Sequence, residues 1–495
     1  MPRYPQRDAE LSRLQSKKNK CHAERKALTL RIKELDREIA EVKAEYGAVY
    51  NEPAPLLSLS TEVTCLIFDF TVAAELTSTR NTLADDQDER KFLPEIVVSQ
   101  VCRQWRSISL SYPTLWTRFC YDAPNASHVP FDRLDVYLER SASQPLELWF
   151  NFRVSEDGWT RKGQQALLQR SIPAMARCKC LTVLSDPTTP IDALLTEIAS
   201  LSAQNIEHFV FCPGIDGTTY TRNSIHLING LETTIFKNGA PKLKSLTLDC
   251  PTRFLAPLSN ISTLRLEAPY NGLGMAVSWD AFRDILSISS LENLSLAGPV
   301  FNDQYPHVEL ITMNSLKNLR CGFFAPLWLP FLRAPLLETL TLRRCWALGN
   351  RYDQRLNPEP YAFPTLRSLY LLETTAHTSE IASCLARMTE LATDIVISTK
   401  AGTNNGVRIT FNSDVQARRM NKITLRIIEQ LGVYGGGLSL QPEECKELLE
   451  ICALEILDDK TIDKVFWKRH WQFGGYSSGR SEDDSEDLFA IIESE

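Results

Sequence analysis

LENLSL, residues 291–296, sets leucines at its first, fourth and sixth positions. The phrase, or a close variant, recurs as CKCLTV at 178, IEHFVF at 206, LKSLTL at 243, ISTLRL at 261, LKNLRC at 316, LETLTL at 337, LRSLYL at 366 and, more weakly, ATDIVI at 392. Alternate residues of a strand share a face, so each phrase reads as a short strand. The phrases follow one another at 18 to 37 residues, an irregular spacing whose average suits a repeat array. Several intervals also carry a helical pattern: Ala193, Leu194, Ile198 and Leu201; Phe282, Ile285 and Leu286; Ile381, Cys384, Leu385 and Met388. A strand-plus-helix unit cannot bury its apolar face alone. Nine phrases in succession therefore predict units stacked into a curved α/β solenoid with parallel strands.

The competing reading is an ordinary α/β domain. An enzyme of that class would normally show a phosphate-cradling glycine turn or a nucleophile elbow. NGLGMAV at 271 keeps two glycines of a dinucleotide fingerprint and lacks the third. Residues 141–400 thus read as an irregular leucine-rich-repeat-like array. Its leucines point inward, and the residues between and just after them face out along the sheet. Asp249, Arg265, Glu267, Arg320, Arg343 and Tyr370 make up that outward set. They form a candidate target-binding face whose mixed charge suits a protein partner rather than phosphate.

Residues 1–52 read as one helix. Leu11, Leu14, Lys18, Cys21, Arg25, Leu28, Ile32, Leu35, Ile39, Val42, Tyr46 and Val49 follow at alternating gaps of three and four, a heptad register that is clean from Leu28 onward. Arg31 and Glu38 fall at g positions, and Asp36 and Lys43 at the e positions of the following heptads. Across a parallel homodimer they pair with opposite sign. The register fits a short dimerising coiled coil, and equally a single helix whose apolar stripe lies on the protein's own body. Pro53 and Pro55 end it.

Two further stretches belong together. In EPAPLLSLSTEVTCLIFDF, Leu59, Val63, Leu66, Ile67 and Phe68 make a compact amphipathic helix, with Ser60 or Thr61 as its N-cap. In VCRQWRSISLSYPTLW, residues 101–116, a second helix carries Trp105, stops at Pro113 and is followed by Leu115 and Trp116. In this order the pieces resemble an F-box of the form common among fungal F-box proteins. The resemblance covers residues 55–120. It implies a small all-α bundle that docks on the Skp-type adaptor of a cullin-RING ubiquitin ligase. Docking or bundle-core roles then fall to Leu59, Val63, Ile67, Phe68, Val101, Cys102, Trp105, Leu115 and Trp116. The turn at Pro113 would fold Leu115 and Trp116 back on the helix and bring the tryptophans together. Two departures stand out: Leu59-Ser60 replaces the family's usual Leu-Pro, and an acidic tract, ADDQDER, lies in an inserted loop of about residues 75–92.

After the repeats, residues 401–476 read as a cap or small domain, with a helix opened by Pro442 that carries Leu448, Leu449, Cys452 and Ile456. Residues 477–495 are acidic and expected to be disordered. A net charge of -7 argues against nucleic acid as a partner. The 13 cysteines are scattered singly through apolar positions such as Cys65, Cys102, Cys321, Cys384 and Cys452, as in a reduced intracellular protein. Cys178 and Cys180 lack the further ligands of a zinc site, and the seven histidines are isolated, so no metal, cofactor or catalytic residue is expected. The start, MPRYPQRDAE, has no apolar signal region, and the densest apolar run, FFAPLWLPFL at 323, is broken by Pro326 and Pro330. A cytoplasmic or nuclear location without membrane contact follows. The modules fit a non-catalytic substrate-recognition subunit of a Skp-cullin-F-box ligase, holding an unidentified target on the repeats. A protein-interaction scaffold outside any ligase uses the same modules.

Overall fold

The computed structural model describes residues 5–51, 55–81, 93–122, 129–152, 158–184, 198–212, 233, 235–248, 255–267, 279–297, 310–322, 329–343, 363–372, 392–399, 424–429 and 453–458. Across these residues the chain is mixed α/β, with a long N-terminal helix, a group of short helices and a large parallel sheet.

Helix α1 runs unbroken through Pro5–Asn51, 47 residues. A 3-10 turn at Pro55–Ser58 leads into α2 (Thr61–Asn81), α3 (Pro94–Val101) and α4 (Arg103–Leu110), followed by a second 3-10 turn at Pro113–Trp116. Pro94 and Pro113 open their elements rather than break them, because the first residues of a helix have no use for an N–H. The sheet starts two residues after Trp116. Its strands are β1 (Arg118–Asp122), β2 (Leu146–Asn151), β3 (Cys178–Leu184), β4 (His208–Cys212), β5 (Ser245–Leu248), β6 (Thr263–Glu267) and β7 (Asn293–Ala297). After the two-residue β8 (Ile311–Thr312), it continues with β9 (Asn318–Gly322), then, past the equally short β10 (Leu332–Arg333), with β11 (Thr339–Arg343), β12 (Ser368–Leu372), β13 (Asp394–Thr399), β14 (Thr424–Glu429) and β15 (Ala453–Asp458). Among the described residues thirteen strands share this sheet in the order of the sequence, while β8 and β10 pair only with each other. Helix α5 (Phe131–Arg140) connects β1 to β2, α6 (Gly158–Ser171) connects β2 to β3, and α7 (Trp279–Leu286) lies between β6 and β7.

The register explains why these residues form these strands. Phe119, Leu148, Leu181, Phe209, Leu246, Leu264, Leu294, Leu319, Leu340, Leu369 and Ile395 sit opposite one another strand after strand. None is more than 1% exposed. Two residues on, a second buried column runs from Tyr121 through Phe150, Val183, Phe211, Leu248, Leu266, Leu296, Cys321 and Leu342 to Leu371. A turn precedes most strands. The N–H of Ile206, Leu243, Leu291, Leu337 and Leu366 donates to the carbonyl three residues back, on Ala203, Ala240, Ile288, Ala334 and Phe363. Adjacent turns are then tied by paired amides: Lys317 and Asn318 both donate to the Glu292 carbonyl, Glu338 and Thr339 to that of Lys317, and Arg367 and Ser368 to that of Glu338.

Each of the nine recurring phrases contains a strand, β3 to β7, β9 and β11 to β13. The sheet is longer than 141–400 at both ends. Strand β1 straddles residue 120, and β14 and β15 extend the same sheet through the segment read as a cap or small domain. Ile456, expected on a helix, lies in β15, where it pairs with Ile427; the alternation of Leu454 and Ile456 suits a strand as well as a helix. Residues 75–81 of the expected loop are the end of α2, while 82–92 lie outside the described residues. So do Ala193, Leu194, 381–388, Leu448, Leu449, Cys452 and the acidic tail. Phe282, Ile285 and Leu286 are on α7 and buried, and Ile198 is buried.

The ladder makes a prediction. Leu319→Ala should destabilise the protein by about 3 kcal/mol, since a closely packed column collapses poorly around a cavity. Leu336→Ala, at a turn position 47% exposed, should stay within about 0.5 kcal/mol. Urea denaturation followed by circular dichroism distinguishes them.

Candidate functional site

The group of short helices between α1 and the sheet is built around Phe68. Ser60 starts α2: its hydroxyl oxygen accepts from the Val63 N–H at 3.4 Å and its carbonyl from the Thr64 N–H at 3.0 Å. The N–H of Glu62 itself, then the Ser60 hydroxyl, hold the Glu62 carboxyl below its ordinary range. Thr64 and Phe68, one turn apart, are fully buried. The Phe68 ring meets Trp105 of α4 edge-on at 5.1 Å. Cys102 caps α4, its Sγ accepting the Trp105 backbone N–H at 3.4 Å. Two more bonds close the group: Tyr112 donates its hydroxyl to Asp69 at 2.8 Å, and the Gln104 side chain donates to the Leu57 carbonyl at 3.1 Å.

Past Pro113 the chain returns on α4, as the sequence suggests, and the Trp116 indole N–H donates to the Ser109 carbonyl at 2.8 Å. The two tryptophan rings nevertheless serve different neighbours. Trp105 belongs to the helical group, while Trp116 meets Tyr137 of α5 edge-on at 5.4 Å beneath the Arg140 guanidinium, 4.4 Å away. Tyr137 also meets Phe119 of β1 at 5.6 Å and donates its hydroxyl to Glu95 of α3. Helical group and sheet are therefore joined by one aromatic seam with a buried carboxyl at its edge. Burial pushes the Glu95 carboxyl above its ordinary range, opposed by the Tyr137 hydroxyl, the backbone N–H of Glu95 and the charge of Arg133.

Of the nine residues given docking or core roles, Phe68, Leu115 and Trp116 are buried, Leu59, Ile67, Cys102 and Trp105 are half-buried, and Val63 and Val101 are exposed. Sequence reasoning passed over the rest of the uncovered set: Leu56, Phe70, Val97 and Leu110, with Leu66 read as part of one amphipathic stripe. Helix α2 is instead apolar on two sides. Thr64 and Phe68 face the group's core, while Val63, Leu66 and Phe70 stay in water, Phe70 at 73% exposure. The signal was present as the i, i+3, i+7 spacing of the second set.

The outward-facing set on the repeats needs correction. Arg265 is 0% exposed, and Arg320 and Arg343 are buried. Tyr370 is half-buried and donates its hydroxyl to Asp394 at 3.2 Å. Glu267 ends β6, and Asp249 lies outside the described residues. Strand alternation fixes which face a residue takes but not whether water reaches it. Arg265 stands in the column Thr247, Arg265, Ser295, Arg320, Thr341, Tyr370, with neighbouring strands about 4.8 Å apart, so each stem is flanked on both sides. Thr247, Ser295 and Thr341 are buried with it.

Burial pushes the Cys180 thiol up to about 12 and that of Cys178 higher still, so both stay protonated and poor as nucleophiles or ligands. Among the described residues no cluster of three histidine, cysteine or acidic side chains fits a metal ion, and no helix is long and apolar enough to cross a membrane. No protein-family model and no curated protein matches the chain.

The seam predicts a pH-dependent variant. Tyr137→Phe removes the hydroxyl that supports the buried Glu95 carboxylate and should cost about 2 kcal/mol at neutral pH. A carboxyl with a raised folded-state pKa contributes stability below its unfolded pKa and loses it as the pH rises through the folded value. The deficit should therefore shrink on acidification, as Glu95 takes up its proton, which unfolding midpoints across the acid range would show.

Proposed function

We propose that residues 55–116 are an F-box-like docking unit and that the chain is the substrate-recognition subunit of a Skp-cullin-F-box type ubiquitin ligase. The observation that carries this is the second apolar side of α2. Val63, Leu66 and Phe70, with Leu56 before them and Val97 and Val101 on α3, stay uncovered although Phe68 and Val98 already supply the core. A helix in a small bundle needs one apolar stripe for its own packing. A second stripe ending in an exposed phenylalanine is what a protein interface needs, where a few large apolar anchors supply most of the binding free energy. Ser60 stands where the resembled family usually has proline, and it meets the local requirement by capping α2.

On this reading the strands that pair in sequence order form an irregular leucine-rich-repeat-like solenoid, and that region holds the target. The chain performs no chemistry. It keeps lysines of the target near a ubiquitin-charged enzyme, raising the effective concentration of two proteins that would otherwise meet rarely. The aromatic seam from Trp116 to Phe119 makes the docking unit and the sheet one rigid piece, which suits such positioning.

The test is calorimetric binding of the purified full chain to a Skp-type adaptor. Removing residues 55–120 is the wrong control, because it takes away Trp116 and part of β1. The double variant Phe70→Glu, Val101→Glu changes only exposed residues. It should weaken binding by about 100-fold, two anchors at roughly 1.4 kcal/mol each, with circular dichroism and unfolding midpoint unchanged. Folded wild-type protein that does not bind, or a double variant that binds as well, would favour a scaffold outside the ligase.

A further inference from the structure

We infer that α1 is one strand of a parallel, in-register homodimer whose seam runs from Leu28 to Val49. This goes beyond the ligase reading and stands or falls independently of it. The sequence left open whether the heptad stripe lies on the protein's own body. It does not: Leu28, Ile32, Leu35, Ile39, Val42, Tyr46 and Val49 are all between 40% and 73% exposed. A helix of 47 residues extends about 70 Å. Held by hydrogen bonds alone it is marginal in water, because helices in proteins draw most of their stability from packing an apolar face.

The residues along the stripe identify its occupant. Ile32 and Ile39 at a with Leu28 and Leu35 at d are the combination that favours two parallel strands. Lys18 and Arg25 at earlier a positions suit a two-stranded seam, whose rim lets long basic side chains reach water. The flanking charges match a second copy of the same sequence: Arg31 at g meets Asp36 at the partner's e position, and Glu38 meets Lys43, each pair formed twice by symmetry. Within the single chain Arg31 pairs with Glu34 at 2.7 Å and lies 3.6 Å from Glu38, both solvent-exposed pairs of little worth. Asp36 and Lys43 make no ion pair among the described residues and remain available for the interface.

Cys21 reports the orientation. It is a free, exposed thiol at a d position. In the parallel in-register pair the two Cys21 side chains face each other across the seam. An antiparallel pairing centred on the same heptads would separate them by about 50 Å.

The full chain should sediment as a dimer at micromolar concentration. Diamide should join its protomers by a Cys21 disulfide, two thiols giving two protons and two electrons to the diamide, and Cys21→Ser should abolish that link. Ile32→Glu, Leu35→Glu should be monomeric with the sheet's unfolding midpoint unchanged. Glu38→Lys or Lys43→Glu alone should raise the dimer dissociation constant about tenfold, and the two together should restore it. A monomer at that concentration, a dimer that oxidation does not link at Cys21, or a double reversal no better than the singles would overturn the inference.

Discussion

A strand of five residues cannot bury its own leucines, and the whole sheet follows from how this chain resolves that constraint. The inward column from Phe119 to Ile395 shields each side chain only with the equivalent one on the next strand and the turn beneath it. The paired amides, two N–H groups on one carbonyl of the preceding turn, fix the height at which each unit sits. Register is therefore set by strand and turn. The connection between them is free to vary, because the entropy of closing a loop grows slowly with its length. Spacings from 18 to 37 residues can thus coexist with one unbroken ladder.

A ladder of this kind needs a first strand with something behind it. Only Thr117 separates the Trp116 turn from β1, and α5 packs its Tyr137 between Trp116 and Phe119. Near this end the column is filled by aromatic rings, with Phe119 and Phe150 at 5.9 Å and Phe209 meeting Phe236 at 5.1 Å. Large rings bury more area per residue than leucine, which suits units that have neighbours on only one side or a longer connection to cover. The small helical group is consequently part of the sheet's foundation as well as a surface for a partner. That double duty accounts for the two apolar sides of α2.

What could be read from the sequence divides along the same physical line. Repetition was legible: nine phrases, nine strands, because leucine columns leave a local pattern. Strands β1 and β2 were missed because RFCYD and LELWFN fill the columns with Phe119, Tyr121 and Phe150, so the leucine phrase is absent although the alternation is there. Strands β14 and β15 were missed because the glycine- and asparagine-rich break near residue 400 looked like a domain boundary. The turn preceding each strand was half legible; the buried residue three places upstream, Ala240 or Ala334, is too small to stand out. The helical unit's core and its docking side were read as one stripe, since Val63 and Phe68 differ by helical phase and not by residue type. Burial of Arg265 and Arg320 was beyond reach, because alternation gives direction and not access.

The uncovered apolar residues fall into two sets that cannot satisfy each other. From Leu28 to Val49 the stripe on α1 is about 33 Å long, whereas Val63 to Phe70 on α2 spans about 10 Å. Laid side by side, α2 would cover two or three of the seven stripe residues and leave the others in water. A narrow seam sustained over three heptads is matched only by another element of equal length and the same period, and a second α1 is one. The short set has a different shape, with residues from a 3-10 turn, α2 and α3 gathered on one compact group and Phe70 as its most exposed member. It calls for a compact partner with a pocket for a ring. Length and shape thus assign two partners to one chain, a copy of itself along α1 and another protein at α2.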